Sequence, residues 1–267
     1  MNRNDRKRLK KARLAAPNKG NGAGTQPKSI DASLGQITAL LQGGHGSEAR
    51  KLCQTLLAEH PDDPRTLNLA AIACFQTGDA ATAVTLLESA VAHQPDFVDA
   101  HNNLGNVFKA VGDLLRAETA YRTAIDLAPM YFDARFNLGI VLEAMGRPGE
   151  ARDTYKSALD IQPDFLPAYL NTGNALKALG KFDEALDYYR YVLEMEPHNV
   201  DALNNMGAVF YELTRFDEAE SAYRKALDMD TTHADTLYNL GVLLHEVERY
   251  QEAVDAYRRA IETRPHY

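Results

Sequence analysis

The stretch NTGNALKALGKFDEALDYYRYVLEMEP, residues 171–197, decides the fold. It closes on a proline, and prolines recur at positions 61, 95, 129, 163, 197 and 265, thirty-four residues apart with one step skipped at Thr231. Starting a unit three residues after each of these positions divides the chain into seven: 30–63, 64–97, 98–131, 132–165, 166–199, 200–233 and 234–267. Within a unit, position 20 is alanine in all seven (Ala49, Ala83, Ala117, Ala151, Ala185, Ala219, Ala253). Position 8 is glycine in five (Gly105, Gly139, Gly173, Gly207, Gly241), and position 24 is tyrosine in the same five (Tyr121, Tyr155, Tyr189, Tyr223, Tyr257). Sequence self-similarity at a period of this size marks a repeat architecture rather than a single globular core.

Each unit reads as two helices. Positions 4, 7, 8 and 11, which are His101, Leu104, Gly105 and Phe108 in unit three, follow the i, i+3, i+4, i+7 spacing of one helical face. A glycine at position 15 (Gly44, Gly78, Gly112, Gly146, Gly180) ends the first helix, because it accepts the left-handed backbone that a helix stop requires. Thr214 and Glu248 stand there in the last two units. An acidic pair such as Asp183-Glu184 or Asp217-Glu218 suits the positive start of the second helix, and the proline at position 32 is expected to stop it. Glycine at 8 and alanine at 20 let the paired helices approach, with tyrosine 24 filling the space above them. One such hairpin cannot bury its apolar face alone, so neighbouring units must stack.

This pattern, with NNLGNVFKAVGDLLRAETAYRTAIDLAP (102–129) beside 171–197, resembles the tetratricopeptide repeat over residues 30–267. The resemblance implies an all-α fold, a right-handed α-solenoid of seven hairpins whose first helices line a concave groove. Unit one is the weakest copy, with Ile37 at position 8 and Cys53 at position 24, as an end unit could be.

The face holding positions 2, 6, 9 and 13 of the first helix lies opposite the one packed in the hairpin. It too repeats. Position 6 is Asn103, Asn137, Asn171, Asn205 and Asn239 in five consecutive units, and position 2 is Asp31, Asp99, Asp133, Asp201 and Asp235. An asparagine amide both donates and accepts, so a ladder of them can pair with a peptide backbone without reading its side chains. Such a ladder resembles the superhelix of O-linked N-acetylglucosamine transferases, which implies that Asn103 to Asn239 clamp a peptide. It also opens a second reading, in which the repeats are the substrate-recruiting arm of a larger transferase. The blander account is that asparagine belongs to the general repeat consensus, and that aspartate near a helix start answers the helix dipole. Phe136 and Tyr238 at position 5, with Phe75 and Tyr211 at position 12, are expected to face the groove as anchors for a ligand. The Lys and Arg clamp with which chaperone-binding members grip a C-terminus has no counterpart, since position 5 never holds lysine and position 6 never arginine.

Charge narrows the partners. Residues 1–29 carry nine Lys and Arg against Asp5 alone, whereas the rest holds 20 basic and 36 acidic residues. A body so acidic repels phosphate backbones and anionic lipid, so the repeats are not expected to bind nucleic acid or membrane. The segment 1–29 reads as a basic, disordered tail and linker whose natural contact is an acidic surface. No catalytic site is expected. The eight histidines form no metal-binding motif, and GNGAG at 20–24 has no preceding strand that would make it a phosphate loop. Cys53 and Cys74 fall on packing positions, and two cysteines without a signal segment suit a reducing cytoplasm. No metal and no cofactor are expected; the expected partner is a protein or peptide in the groove. The chain stops at Tyr267 without a further helix to cover unit seven. Three explanations stand: a final helix polar enough to face water, a homodimer through the solenoid ends, or a continuation in a longer enzyme.

Overall fold

The computed structural model describes residues 29–264. The expected basic tail therefore lies outside the described residues, except Ser29, whose hydroxyl caps the first helix by accepting from the Ala32 amide at 3.3 Å. The fourteen helices of the described residues form seven antiparallel hairpins: α1 (Ile30–Gln42) with α2 (Gly46–Glu59), α3 (Pro64–Gln76) with α4 (Ala80–His93), α5 (Val98–Ala110) with α6 (Leu114–Leu127), α7 (Phe132–Ala144) with α8 (Pro148–Leu159), α9 (Leu166–Ala178) with α10 (Phe182–Met195), α11 (Val200–Glu212) with α12 (Phe216–Met229), and α13 (Ala234–Glu246) with α14 (Tyr250–Thr263). Each helix packs on its neighbours in sequence, and the odd-numbered, leading helices of consecutive units also pack together, except α7 and α9. The result is an all-α solenoid.

The turn inside each hairpin is built one way seven times. The residue at position 15 is left-handed, with φ of 76° at Gly44, 84° at Gly78, 81° at Gly112 and 71° at Gly146 and Gly180. Across it, the amide of position 16 donates to the carbonyl of position 11, as from Asp113 to Phe108 at 2.9 Å and from Arg215 to Phe210 at 2.8 Å. That bond satisfies a carbonyl which the ending helix leaves open. Thr214 and Glu248 are forced into the same region, with φ of 57° and 60°. A left-handed residue with a Cβ costs about 1–2 kcal/mol, and β-branched threonine is the worse case. Thr214→Gly is therefore expected to stabilise the protein by about 1 kcal/mol after glycine's extra unfolded-state entropy is subtracted. The midpoint of urea unfolding reads this directly, and a lower midpoint would refute it.

In five units the second helix ends two residues ahead of the proline, and the residue before it is extended; in unit four the helix stops earlier, at Leu159. Position 31 has φ and ψ of −134° and 88° at Gln94 and −128° and 84° at Glu196, the conformation that a following proline imposes. Unit six lacks the proline yet α12 stops at the same place, with Asp230 at −134° and 97°. There the Asp230 carboxylate accepts from the amide and hydroxyl of Thr232 at 2.9 and 2.7 Å, a side-chain turn that does the work of the ring.

The packing rule of the core is plain. All seven position-20 alanines are at most 2% exposed, and Tyr121, Tyr155, Tyr189 and Tyr223 are likewise sealed. Two leading-helix positions that the periodicity above left out are equally buried. Position 3 is Thr66, Ala100, Ala134, Ala168, Ala202 and Thr236, and position 10 is Ala73, Val107, Val141, Ala175, Val209 and Leu243. These face the preceding unit, so a leading helix serves two interfaces. Position 4 is less buried than expected. In units three to five it reaches back to the proline carbonyl of the unit before: His101 to Pro95 at 2.9 Å, Arg135 to Pro129, and Tyr169 to Pro163 at 3.0 Å.

Candidate groove of the leading helices

The five ladder asparagines occupy one register on α5, α7, α9, α11 and α13, and all five are half-buried. Each is held by a neighbouring unit. The Asn103 amide donates to Asn68 Oδ1 at 2.8 Å, and the Asn239 amide to Asn204 Oδ1 at 2.9 Å. Asn137 and Asn205 instead accept through Oδ1, from Lys109 Nζ at 2.7 Å and from Lys177 Nζ at 3.3 Å. Asn171 lies against the Tyr155 hydroxyl. These contacts orient the amides and leave each with unused capacity. Asn137 and Asn205 keep their N–H donors, and Asn103 and Asn239 keep their carbonyl acceptors.

A second row runs beside the first. Tyr121 and Tyr189 donate their hydroxyls to Asn106 and Asn174 at 2.8 Å, and Tyr155 donates to Glu143 at 3.0 Å. The sealed tyrosines thus reach from the core to the face of the leading helices and fix position 9 or 12 of their own unit. Burial raises the pKa of Glu143 above the ordinary carboxylate value, against the opposing pull of its Tyr155 bond and of Lys177. Burial likewise lowers the pKa of Lys109 and of Lys177. Lys109, Glu143 and Lys177 are therefore charges that water solvates poorly. None of Lys109, Glu143 and Lys177 was singled out from the sequence; their shared position 12 was the available signal.

The aspartates at position 2 of units three, four, six and seven lie in the first turns of their helices. Asp31 accepts from Arg65 at 2.9 Å, Asp99 from the Tyr131 hydroxyl at 2.8 Å, and Asp235 from Arg264 at 3.1 Å, while Asp201 lies 3.4 Å from His233. Asp133 is exposed beside Tyr131. The aromatics divide. Phe136 packs on Phe165, the residue that caps α9, at 5.0 Å and on Tyr155 at 5.7 Å, all within unit four. Phe75 and Tyr211 are half-buried against the core, Tyr211 with its ring 5.7 Å from Phe216. Tyr238 is 42% exposed beside Tyr257.

On the other face, ion pairs lock the stacking: Arg50 with Asp79 at 2.8 Å, Glu118 with Arg147 at 2.7 Å, and Glu220 with Arg249 at 2.7 Å. Cys53 and Cys74 are buried, and burial first, then Cys74 nearby, pushes the Cys53 thiol up to about 12. Among the described residues no three His, Cys, Asp or Glu side chains cluster as metal ligands, and no helix is long and apolar enough to cross a membrane.

No curated protein sequence matches the chain. Solved structures do. A tetratricopeptide repeat protein from Parabacteroides merdae superposes with a TM-score of 0.70 at 14% identity, over 88% of this chain and 93% of its own. The Cut9–Hcn1 hetero-tetramer of the APC/C gives 0.69 at 16% identity, over 91% of this chain and 48% of that one. YrrB, described as a TPR protein with an unusual peptide-binding site, gives 0.52 at 24% identity, over 67% of this chain and 92% of its own. At these identities the likeness is one of fold. Sequence profiles described as Tetratricopeptide repeat match residues 34–96, 102–164, 167–199 and 199–265. With matches running through nearly all of its hairpins, the chain belongs to the tetratricopeptide repeat family.

Proposed function

We propose that the protein is a non-catalytic interaction scaffold that holds an extended segment of a partner protein along its leading helices. The observation that carries this reading is the row of five half-buried amides at one register, oriented by neighbouring units and each with an unused donor or acceptor. A strand laid across the row would present alternating carbonyls and N–H groups to them. A net hydrogen bond contributes about 0.5–1.5 kcal/mol, so three together are worth roughly 1.5–4.5 kcal/mol, or about one to three powers of ten in affinity. YrrB, by its description, binds peptide on the same fold, which supports the reading.

The test is a selection of random dodecapeptides, displayed on phage, against the full chain, followed by anisotropy titration of the winners. Changing Asn137, Asn171 and Asn205 together to alanine should weaken binding at least about tenfold and leave the helical circular dichroism intact. Equal affinity for the triple variant would relegate the ladder to a polar surface.

A further inference from the structure

The groove floor is not uniform. In units three to six the position-24 tyrosine crosses the gap left by glycine 8, but unit two has Ala71 and Leu87 at those places. Leucine is shorter than tyrosine, and a cavity of about 460 Å³ lies at the junction of units two and three. Ile72, Phe75, Leu87 and Val107 supply its apolar walls, with the ladder residue Asn103 and Lys109 at its polar side. Lys109 is half-buried, and its hydrogen-bond partner is the neutral Asn137. Among the described residues no carboxylate lies within ion-pair distance of its Nζ, whereas the Lys181 ammonium stands 2.9 Å from Glu184.

We infer that this junction is a specificity subsite of the groove for a peptide in which a large apolar side chain is followed or preceded by an aspartate or glutamate. The apolar side chain fills the space that leucine 87 leaves, and the carboxylate completes Lys109. The inference rests on the proposed peptide-binding role and names the class of peptide. It runs against the acidity of the whole body, and geometry decides the conflict. The aspartates at position 2 stand ten residues up their helices from position 12, about 15 Å away. That exceeds the Debye length of about 8 Å at physiological salt, whereas a bound carboxylate would touch the ammonium inside a poorly solvated pocket.

Two variants separate the two halves of the subsite. Ala71→Gly with Leu87→Tyr installs the pair that five other units already carry, so it should fill the cavity while keeping the fold. Lys109→Glu reverses the charge on a side chain that reaches the groove. The same displayed dodecapeptides are selected at 0.15 M salt against wild type and each variant, and circular dichroism confirms that each is folded. Wild type is expected to enrich adjacent apolar and acidic residues, and replacing the acid by lysine in a winning peptide should weaken it about tenfold. Lys109→Glu should turn the selected acid into a base, and the double variant should lose the apolar preference. Winners without that pair, unaffected by either variant yet lost in the triple-asparagine protein, would overturn the subsite and leave the groove standing. Absence of any binding, or binding indifferent to all three variants, would overturn both.

Discussion

Tyr189→Ala is expected to cost about 3–5 kcal/mol and to split unfolding into two steps. The ring is fully sealed, and its hydroxyl donates to Asn174 at 2.8 Å. Truncation therefore removes the filler of the fifth hairpin and leaves Asn174 without that partner. Location makes this site more damaging than its equivalents. The buried residues fall into three bodies, running from Leu34 to Ala73, from Leu67 to Ala175 and from Leu176 to Ala260, and the last two meet in unit five. The Phe132, Phe136 and Phe165 cluster closes the end of unit four just ahead of it, with ring centroids 4.9–6.0 Å apart. In a stacked array each unit is stabilised only through its neighbours, so a weak fifth unit uncouples the four before it from the two after it. Urea unfolding followed by circular dichroism should become biphasic in the variant. Tyr189→Phe, which keeps the ring and loses one hydrogen bond, should cost about 0.5–1.5 kcal/mol and keep a single transition. A single transition at the wild-type midpoint for Tyr189→Ala would refute the account.

How much of this was legible before the structure depends on how many units a feature involves. The left-handed turn, the sealed alanine and the tyrosine over glycine are contacts within one hairpin, so the thirty-four-residue register shows them directly. Position 3 escaped because its alanines and threonines are small and its burial is against the previous unit. The orientation of the asparagine amides escaped for a related reason. Asn68 reaches Asn103 over a separation of 35 residues, Lys109 reaches Asn137 over 28, and Glu118 reaches Arg147 over 29. Those offsets differ from the repeat length, so columns of like residues conceal them; complementary residues sought at 28, 29 and 35 would have found them. The stop of α12 at Met229 was illegible through the proline and becomes readable only in Asp230 and Thr232 together.

Gly105→Ala is expected to destabilise the third hairpin by about 1–3 kcal/mol through overpacking. A Cβ built there would stand 2.5, 2.6 and 2.7 Å from Cε1, Cδ1 and Cζ of Tyr121, well inside van der Waals contact. The ring has no easy retreat, being fully buried with its hydroxyl bound to Asn106 at 2.8 Å. Unit two shows how the same backbone accepts an alanine: Ala71 stands opposite Leu87, and both are sealed. The clash should therefore depend on the pair and not on the position. Tyr121→Leu alone gives up buried ring area and the Asn106 bond, yet adding it to Gly105→Ala should cost much less than the two separate losses combined. A double-mutant cycle on urea midpoints measures that coupling, expected to favour the double variant by about 1 kcal/mol or more. Strict additivity would mean that Tyr121 already yields to the methyl group, and that glycine at position 8 is there for some reason other than room for the ring.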